Sequence, residues 1–165
     1  MASAACNTIP PVVVDSYTPN GGYIELAGLR TCMYLLLLFP LSHTNPPPDI
    51  TGSQISTKAI VDVHDIFGFA PQTLQGADLL AAALNALVLV PDFFRGEPIQ
   101  GAWLAGGEEN ERLKAAWWAK HVSNSDRSVK ELLDVFEEGK KKWESVSSWG
   151  ANGLCWGGKV SSSSI

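Results

Sequence analysis

The clearest hydrophobic pattern lies in the middle of the chain. Ala59, Ile60, Val61, Asp62 and Val63 form a run too apolar for a strand with one wet face, and residues 73–86 then carry Leu74, Ala77, Leu80, Ala81 and Leu84 at helical spacing. Leu87, Val88, Leu89 and Val90 read as a second buried strand that stops at Pro91 and Asp92. Beyond a polar stretch, a helix is predicted over residues 108–120. Val129, Leu132, Leu133 and Phe136 place one apolar face on a further helix over residues 128–141. A strand of weak apolar content, about residues 147–154, closes the series. Repeated strand, helix, strand units predict an α/β fold with a parallel-rich sheet and helices on both faces. Ligands then bind beyond the carboxyl ends of the strands.

Two regions depart from this rhythm. Residues 1–22 are rich in Pro, Ser, Thr and Asn and end in Asn20-Gly21-Gly22, so they read as an extended arm and a turn, followed by a short alternating strand from Tyr23 to Leu26. Residues 33–56 open with an apolar run and continue into His43-Thr44-Asn45-Pro46-Pro47-Pro48, which neither helix nor sheet accommodates. This tract fits either a buried strand with a proline-rich surface loop or a translated intron or gene-model error that interrupts the domain. The regular pattern resumes at Thr57 and Lys58.

Composition narrows the class. With 45% apolar and 18% charged residues over 165 positions, the chain suits one globular unit with a core. A net charge of −5, with no basic run beyond Lys140, Lys141 and Lys142, argues against nucleic acid or an anionic membrane as partner. The apolar run at residues 33–39 is too short to span a bilayer. Cys6, Cys32 and Cys155 are an odd number of thiols without CxxC spacing, and no secretory signal is evident, so a reducing cytoplasm is the expected setting. No metal-ligand spacing and no phosphate-binding loop appear, and no cofactor is expected.

The chemistry concentrates at Gly153-Leu154-Cys155-Trp156-Gly157. Glycines two residues before and after a nucleophile are what a tight strand-to-helix turn requires. Such an elbow would set the thiol at a helix N-terminus, where the dipole favours thiolate, and would aim the Trp156 N–H at a developing oxyanion. The plainer reading of Cys155 is a small hydrophobe in a glycine-rich turn.

Gly153 to Lys159 resembles the nucleophile motif of the dienelactone hydrolase family, within the α/β-hydrolase superfamily. His64-Asp65-Ile66-Phe67-Gly68-Phe69 resembles that family's loop after the first buried strand. Pro91-Asp92-Phe93-Phe94-Arg95-Gly96-Glu97-Pro98 and Asn7-Thr8-Ile9-Pro10-Pro11 are similar to segments of its fungal members. The resemblance implies an α/β-hydrolase domain over residues 23–160, interrupted at 33–56, with residues 161–165 as a tail. It also implies a small-molecule ester or lactone substrate and Cys155 as nucleophile, with the N–H groups of Ile66 and Trp156 as oxyanion hole. Asp65 falls where bacterial members place a glutamate near the thiol, but a capping or ion-pair role suits it equally. Arg95 lies near the family's substrate-carboxylate arginine, with a surface arginine as the alternative.

In that superfamily the acid and the histidine of the triad follow the nucleophile, whereas no Asp, Glu or His follows Cys155 here. His43, His64 and His121 all precede it, and His64 beside the oxyanion loop is a poor stand-in for the base. The expectation is a C-terminally incomplete hydrolase, inactive in this form, with the strand at 147–154 left as an edge. The competing expectation is a non-catalytic remnant that binds a small carboxylate or a partner chain. A serine esterase is disfavoured by the cysteine.

Overall fold

A computed structural model of the protein describes residues 17–34 and 56–164. In chain order the elements are β1 (Gly22–Leu26), β2 (Leu29–Tyr34), β3 (Lys58–Val63), α1 (Pro71–Leu84), β4 (Leu87–Pro91), a 3-10 turn (Gly101–Ala105), α2 (Glu108–His121), α3 (Ser125–Lys142), β5 (Ser148–Gly153) and α4 (Trp156–Ser162). The strands form one five-stranded sheet in the order β1-β2-β4-β3-β5.

β3 is parallel to both β4 and β5, while β2 is antiparallel to both β1 and β4. The sheet is therefore mixed, parallel only across β4-β3-β5, where the predicted parallel-rich character holds. The antiparallel part comes from a hairpin the hydrophobic pattern does not announce. Ala27 and Gly28 both take positive φ (51° and 70°), the geometry of a two-residue hairpin turn that matches strand twist. The turn is tied down by the Ala27 N–H, which donates to Glu138 of α3 at 2.8 Å. Met33 and Tyr34, the first two residues of the atypical tract, are regular ladder residues of β2. Residues 35–55 and 1–16, including Cys6, His43 and most of the predicted arm, lie outside the described residues.

β4 sits at the centre, and all five of its residues are buried. Val88 and Val90 face α1, meeting Leu74, Ala77 and Ala81 together with Cys32 and Tyr34 of β2. Leu87 and Leu89 face the other way, into a larger core with Val61, Val63, Leu132, Val135, Trp156 and Val160. This two-sidedness is why neither strand alternates in sequence. α1 begins with Pro71 at its first position and ends at Asn85 in the left-handed region, two residues earlier at each end than the periodicity suggests.

α3 keeps three of its four predicted inward positions: Leu132 is buried, and Val129 and Phe136 pack against the core. It buries Ser128, Leu132, Val135 and Gly139, while Leu133 is 45% exposed. Two of the four buried positions are not apolar, so hydrophobicity alone misplaces Leu133 and misses Ser128 and Gly139. Gly139 is small for a reason: a Cβ there would stand 2.6 Å from the Trp149 ring of β5. The helix also starts earlier than predicted, capped by the Asn124 side chain, which accepts the Arg127 N–H.

The crossover from β3 through α1 covers one face, and the route through α2 and α3 to β5 covers the other. β5 consequently lands on the far side of β3 from β4, with Gly153 paired to Val63. The loops after β3 and β5 thus leave adjacent strands for opposite faces, the position where open α/β sheets hold ligands. Replacing Gly139 by Ala should overpack the α3–β5 contact and cost ~1–3 kcal/mol. Urea unfolding of the variant checks this, and an unchanged midpoint would mean the helix does not rest on Trp149.

Candidate functional site

β5 ends at Gly153 and α4 begins at Trp156, leaving Leu154 and Cys155 to reverse the chain. Cys155 takes φ 57° and ψ −120°, a conformation that costs a residue with a side chain on the order of 1–3 kcal/mol. Glycine spacing makes it attainable. A Cβ on Gly153 would lie 2.5 Å from the carbonyl group of Gly157, and one on Gly157 would lie 1.9 Å from the Val63 oxygen and 2.6 Å from that of His64. The strand, the turn and the helix therefore pass one another at backbone contact. Trp156, Gly157 and Val160 turn into the core while the Cys155 thiol is exposed. Cys32, by contrast, is fully buried, and burial pushes its thiol upward, so it is a packing residue.

The loop after β3 is pinned at several of its peptide groups. Asp65 Oδ1 accepts the Phe67 N–H at 2.8 Å, and the Asp65 carbonyl accepts the Gly68 N–H at 3.2 Å. Gly68 adopts φ 63° to make this turn. The Ile66 carbonyl accepts the Ile99 N–H at 3.0 Å, which fastens the loop to the segment after β4. The Asp65 carboxylate thus has the capping role, and among the described residues it makes no hydrogen bond to Cys155. The N–H groups of Ile66 and Trp156 have no hydrogen-bond partner among the described residues.

His64 is 2% exposed. Its Nδ1 lies 2.8 Å from the Asp65 carbonyl oxygen, and its Nε2 lies 3.3 Å from the Phe93 nitrogen. Because the Phe93 N–H donates to Nε2, the ring proton resides on Nδ1 and is donated to Asp65. Burial holds this imidazole below its ordinary pKa, so it is neutral. The ring is stacked on Trp156, with centroids 5.8 Å apart and planes at 27°, and lies 4.8 Å from Phe94. Both ring nitrogens are committed, so His64 is no proton acceptor for Cys155. His121 engages only its Nε2, with Glu97 at 3.0 Å, while its Nδ1 is buried without a partner among the described residues, and burial lowers its pKa. The sequence pattern missed the structural part His64 plays; only the density of aromatics at Phe69, Phe93, Phe94 and Trp156 hints at a buried ring cluster.

Arg95 has φ 54° in the loop after β4 and donates to Glu131 of α3 at 2.8 Å. The same Glu131 oxygen accepts from Arg127 at 3.0 Å. Arg95 is thus brought to α3 by an ion pair, with its side chain 48% exposed. Among the described residues, no cluster of three or more His, Cys, Asp or Glu could hold a metal ion, and no helix is long and apolar enough to cross a membrane.

No family model matches the chain. It is 34% identical over 104 residues to a carboxymethylenebutenolidase homolog of Xenopus tropicalis, an alignment covering 62% of this chain and 39% of that protein. An endo-1,3;1,4-beta-D-glucanase of Zea mays is 29% identical over 113 residues, 68% of this chain and 32% of that one. An uncharacterized AIM2 family protein of Schizosaccharomyces pombe is 30% identical over 112 residues, 67% and 44%. The chain spans less than half the length of each of these relatives. The matches point to a dienelactone-hydrolase-like family at low identity.

The two buried imidazoles make a pH dependence. Above the ordinary histidine pKa of ~6.5 both folded and unfolded chains carry neutral rings; below it the unfolded chain takes up protons that the folded one refuses. Stability is therefore present above that value and is lost as pH falls toward the lowered folded pKa. The thermal midpoint should fall between about pH 7 and pH 5.5, and His64→Asn should reduce that slope. An equal slope in wild type and variant would show that His64 is not buried as the neutral form.

Proposed function

We propose that this chain carries the nucleophile and oxyanion-binding part of a hydrolase of the dienelactone hydrolase type, which cleaves ester or lactone bonds through Cys155. The observation that carries the reading is the positive φ of Cys155 between two glycines that admit no side chain. The turn serves the packing of α4, but the thiol it carries, exposed at the start of that helix and at the carboxyl end of a parallel strand, has no packing role of its own. The fully buried Cys32 shows what a packing cysteine looks like in this fold.

The chemistry follows from the geometry. Sγ attacks the carbonyl carbon of the ester, and the carbonyl oxygen takes up the negative charge opposite the Ile66 and Trp156 N–H groups. Collapse expels the alkoxide and leaves an acyl thioester, which water then hydrolyses to the carboxylic acid and the free thiol. Phe67 and Leu154, 38% and 75% exposed, adjoin these donors and the thiol in sequence and offer an apolar surface to the substrate. A substrate carboxylate could be held by Arg95 only in competition with Glu131.

No histidine among the described residues stands ready as the proton acceptor of a complete cycle, since His64 is bonded through both ring nitrogens and His121 is buried against Glu97 of the loop after β4. Acylation by an activated ester needs no strong base, whereas sustained turnover does. The chain by itself is therefore expected to acylate without efficient release. The same commitment of the imidazoles favours a second reading, in which the cleft binds a small carboxylate or a partner chain without reaction.

Mixing the protein with 4-nitrophenyl acetate separates the two. The expected result is a stoichiometric burst of 4-nitrophenolate, the acyl group on Cys155 by peptide mass spectrometry, and loss of the burst in Cys155→Ala. A burst that survives the substitution would sink the nucleophile. Thermal stabilisation by small carboxylates that is unchanged in Cys155→Ala, with no burst, would establish the binding reading.

A further inference from the structure

Resting on the reading of Cys155 and its two donors, we infer that His64 is a positioning residue that aims the Ile66 N–H at the oxyanion and sets its separation from the Trp156 N–H. The peptide group between Asp65 and Ile66 is gripped by its carbonyl. A trans peptide is planar, and its C=O and N–H point in opposite directions. Whatever grips the Asp65 carbonyl therefore fixes the direction of the Ile66 N–H. Two donors grip it: His64 Nδ1 at 2.8 Å and the Gly68 N–H at 3.2 Å. The hydrogen on Ile66 then faces away from both, and it has no partner of its own among the described residues.

The same side chain reaches the other donor. The His64 ring lies against the Trp156 indole at 5.8 Å, and Trp156 supplies the second N–H from the residue after the thiol. The main chain of His64 adds a second contact, because its carbonyl oxygen is among the atoms that leave no room for a side chain at Gly157. His64 is itself held by the Phe93 N–H on Nε2 and by the rings of Phe69, Phe93 and Phe94. One imidazole thus links three segments: the loop after β3, the loop after β4 and the elbow. It touches no reacting atom, because its two nitrogens are spent on the backbone. Its influence on the reaction passes through the orientation of one peptide plane and the seat of one indole.

Acylation and alkylation distinguish this role from general stability. Attack on an ester develops an oxyanion, whereas displacement of iodide from iodoacetamide by the same thiol develops none. Removing one donor from such a site lowers the rate by about 10²–10³; His64→Ala, which frees the peptide plane without deleting it, should slow acylation of Cys155 by 4-nitrophenyl acetate at least about tenfold. Alkylation by iodoacetamide should stay within about twofold, since it uses no oxyanion donor. His64→Asn, which retains a donor near Nδ1, should recover part of the acylation rate. Near-ultraviolet circular dichroism reports whether each variant keeps its aromatic packing.

A fall in both rates by the same factor, or in neither, would overturn the inference. A wild-type protein that alkylates at Cys155 and never acylates would overturn the hydrolase reading instead. If His64→Ala does not fold, His64→Asn and Gly68→Ala, which perturbs the second grip on the Asp65 carbonyl, carry the same comparison. Acylation and alkylation falling together in those two would again refute the positioning role.

Discussion

The site depends on one close approach: the first turn of α4 rests directly on the carboxyl end of β3. At Gly157 no atom larger than hydrogen fits between the helix and the Val63 and His64 carbonyls. Glycine at this point is a steric requirement. Because the helix comes so near, the chain leaving β5 has only two residues in which to turn, and Cys155 absorbs the turn in a strained conformation. The same approach brings the backbone after the thiol beside the loop after β3. The exposed Cys155 thiol and the start of the loop that carries Ile66 are thereby brought to one corner of the sheet by backbone contact at Gly157.

The rest of the fold serves to make that approach rigid. β3 is held between β4 and β5 by parallel ladders, so its carboxyl end cannot drift. On the far face α1 packs on Val88 and Val90; on the near face α3 settles against Trp149 through Gly139 and joins α4 in the larger core. The loop after β3 is fastened to the loop after β4 by the Ile99 and Phe93 N–H groups. Phe94 lies 4.6 Å from Trp156 and 5.1 Å from Trp117 and ties α2 to the same cluster. Geometry needed at the thiol is therefore set by packing between three loops and not by the elbow alone.

Much of this was legible in the sequence, for physical reasons that differ by element. β3, β4 and α1 are spelled out by apolar runs and helical spacing because both faces of the central strands are buried. The elbow is legible because steric exclusion leaves glycine as the only residue that fits, and that demand survives any change in the surrounding chain. The β1–β2 hairpin was not foreseen, since its turn uses Ala27 in place of the residues that usually mark positive φ. On α3 only Leu133 was misplaced, while the buried Ser128 and Gly139 were missed because they carry no hydrophobic signal. The part played by His64 was illegible for a similar reason: a single histidine announces neither its tautomer nor the backbone groups it holds. Asp65 and Arg95 are surface-competent residues whose sequence context fits several partners; in the structure one caps a backbone N–H and the other joins Glu131.

The energetics explain how a strained thiol persists. The backbone at Cys155 is disfavoured by ~1–3 kcal/mol. Its immediate successors repay this by burial: Trp156 is 5% exposed and Val160 fully enclosed, and each such side chain contributes about 1.5–3 kcal/mol when removed from water. Relaxing Cys155 to an ordinary conformation would swing α4 away from β3 and expose both, so the strained state is the cheaper one. This coupling has a chemical consequence. The groups that stabilise the elbow are the ones that place the Trp156 N–H, and His64, stacked on that indole, links their burial to the orientation of the Ile66 N–H. Stability and the placement of these two N–H groups are thus set by the same contacts, and a substitution in the aromatic cluster cannot loosen one without disturbing the other.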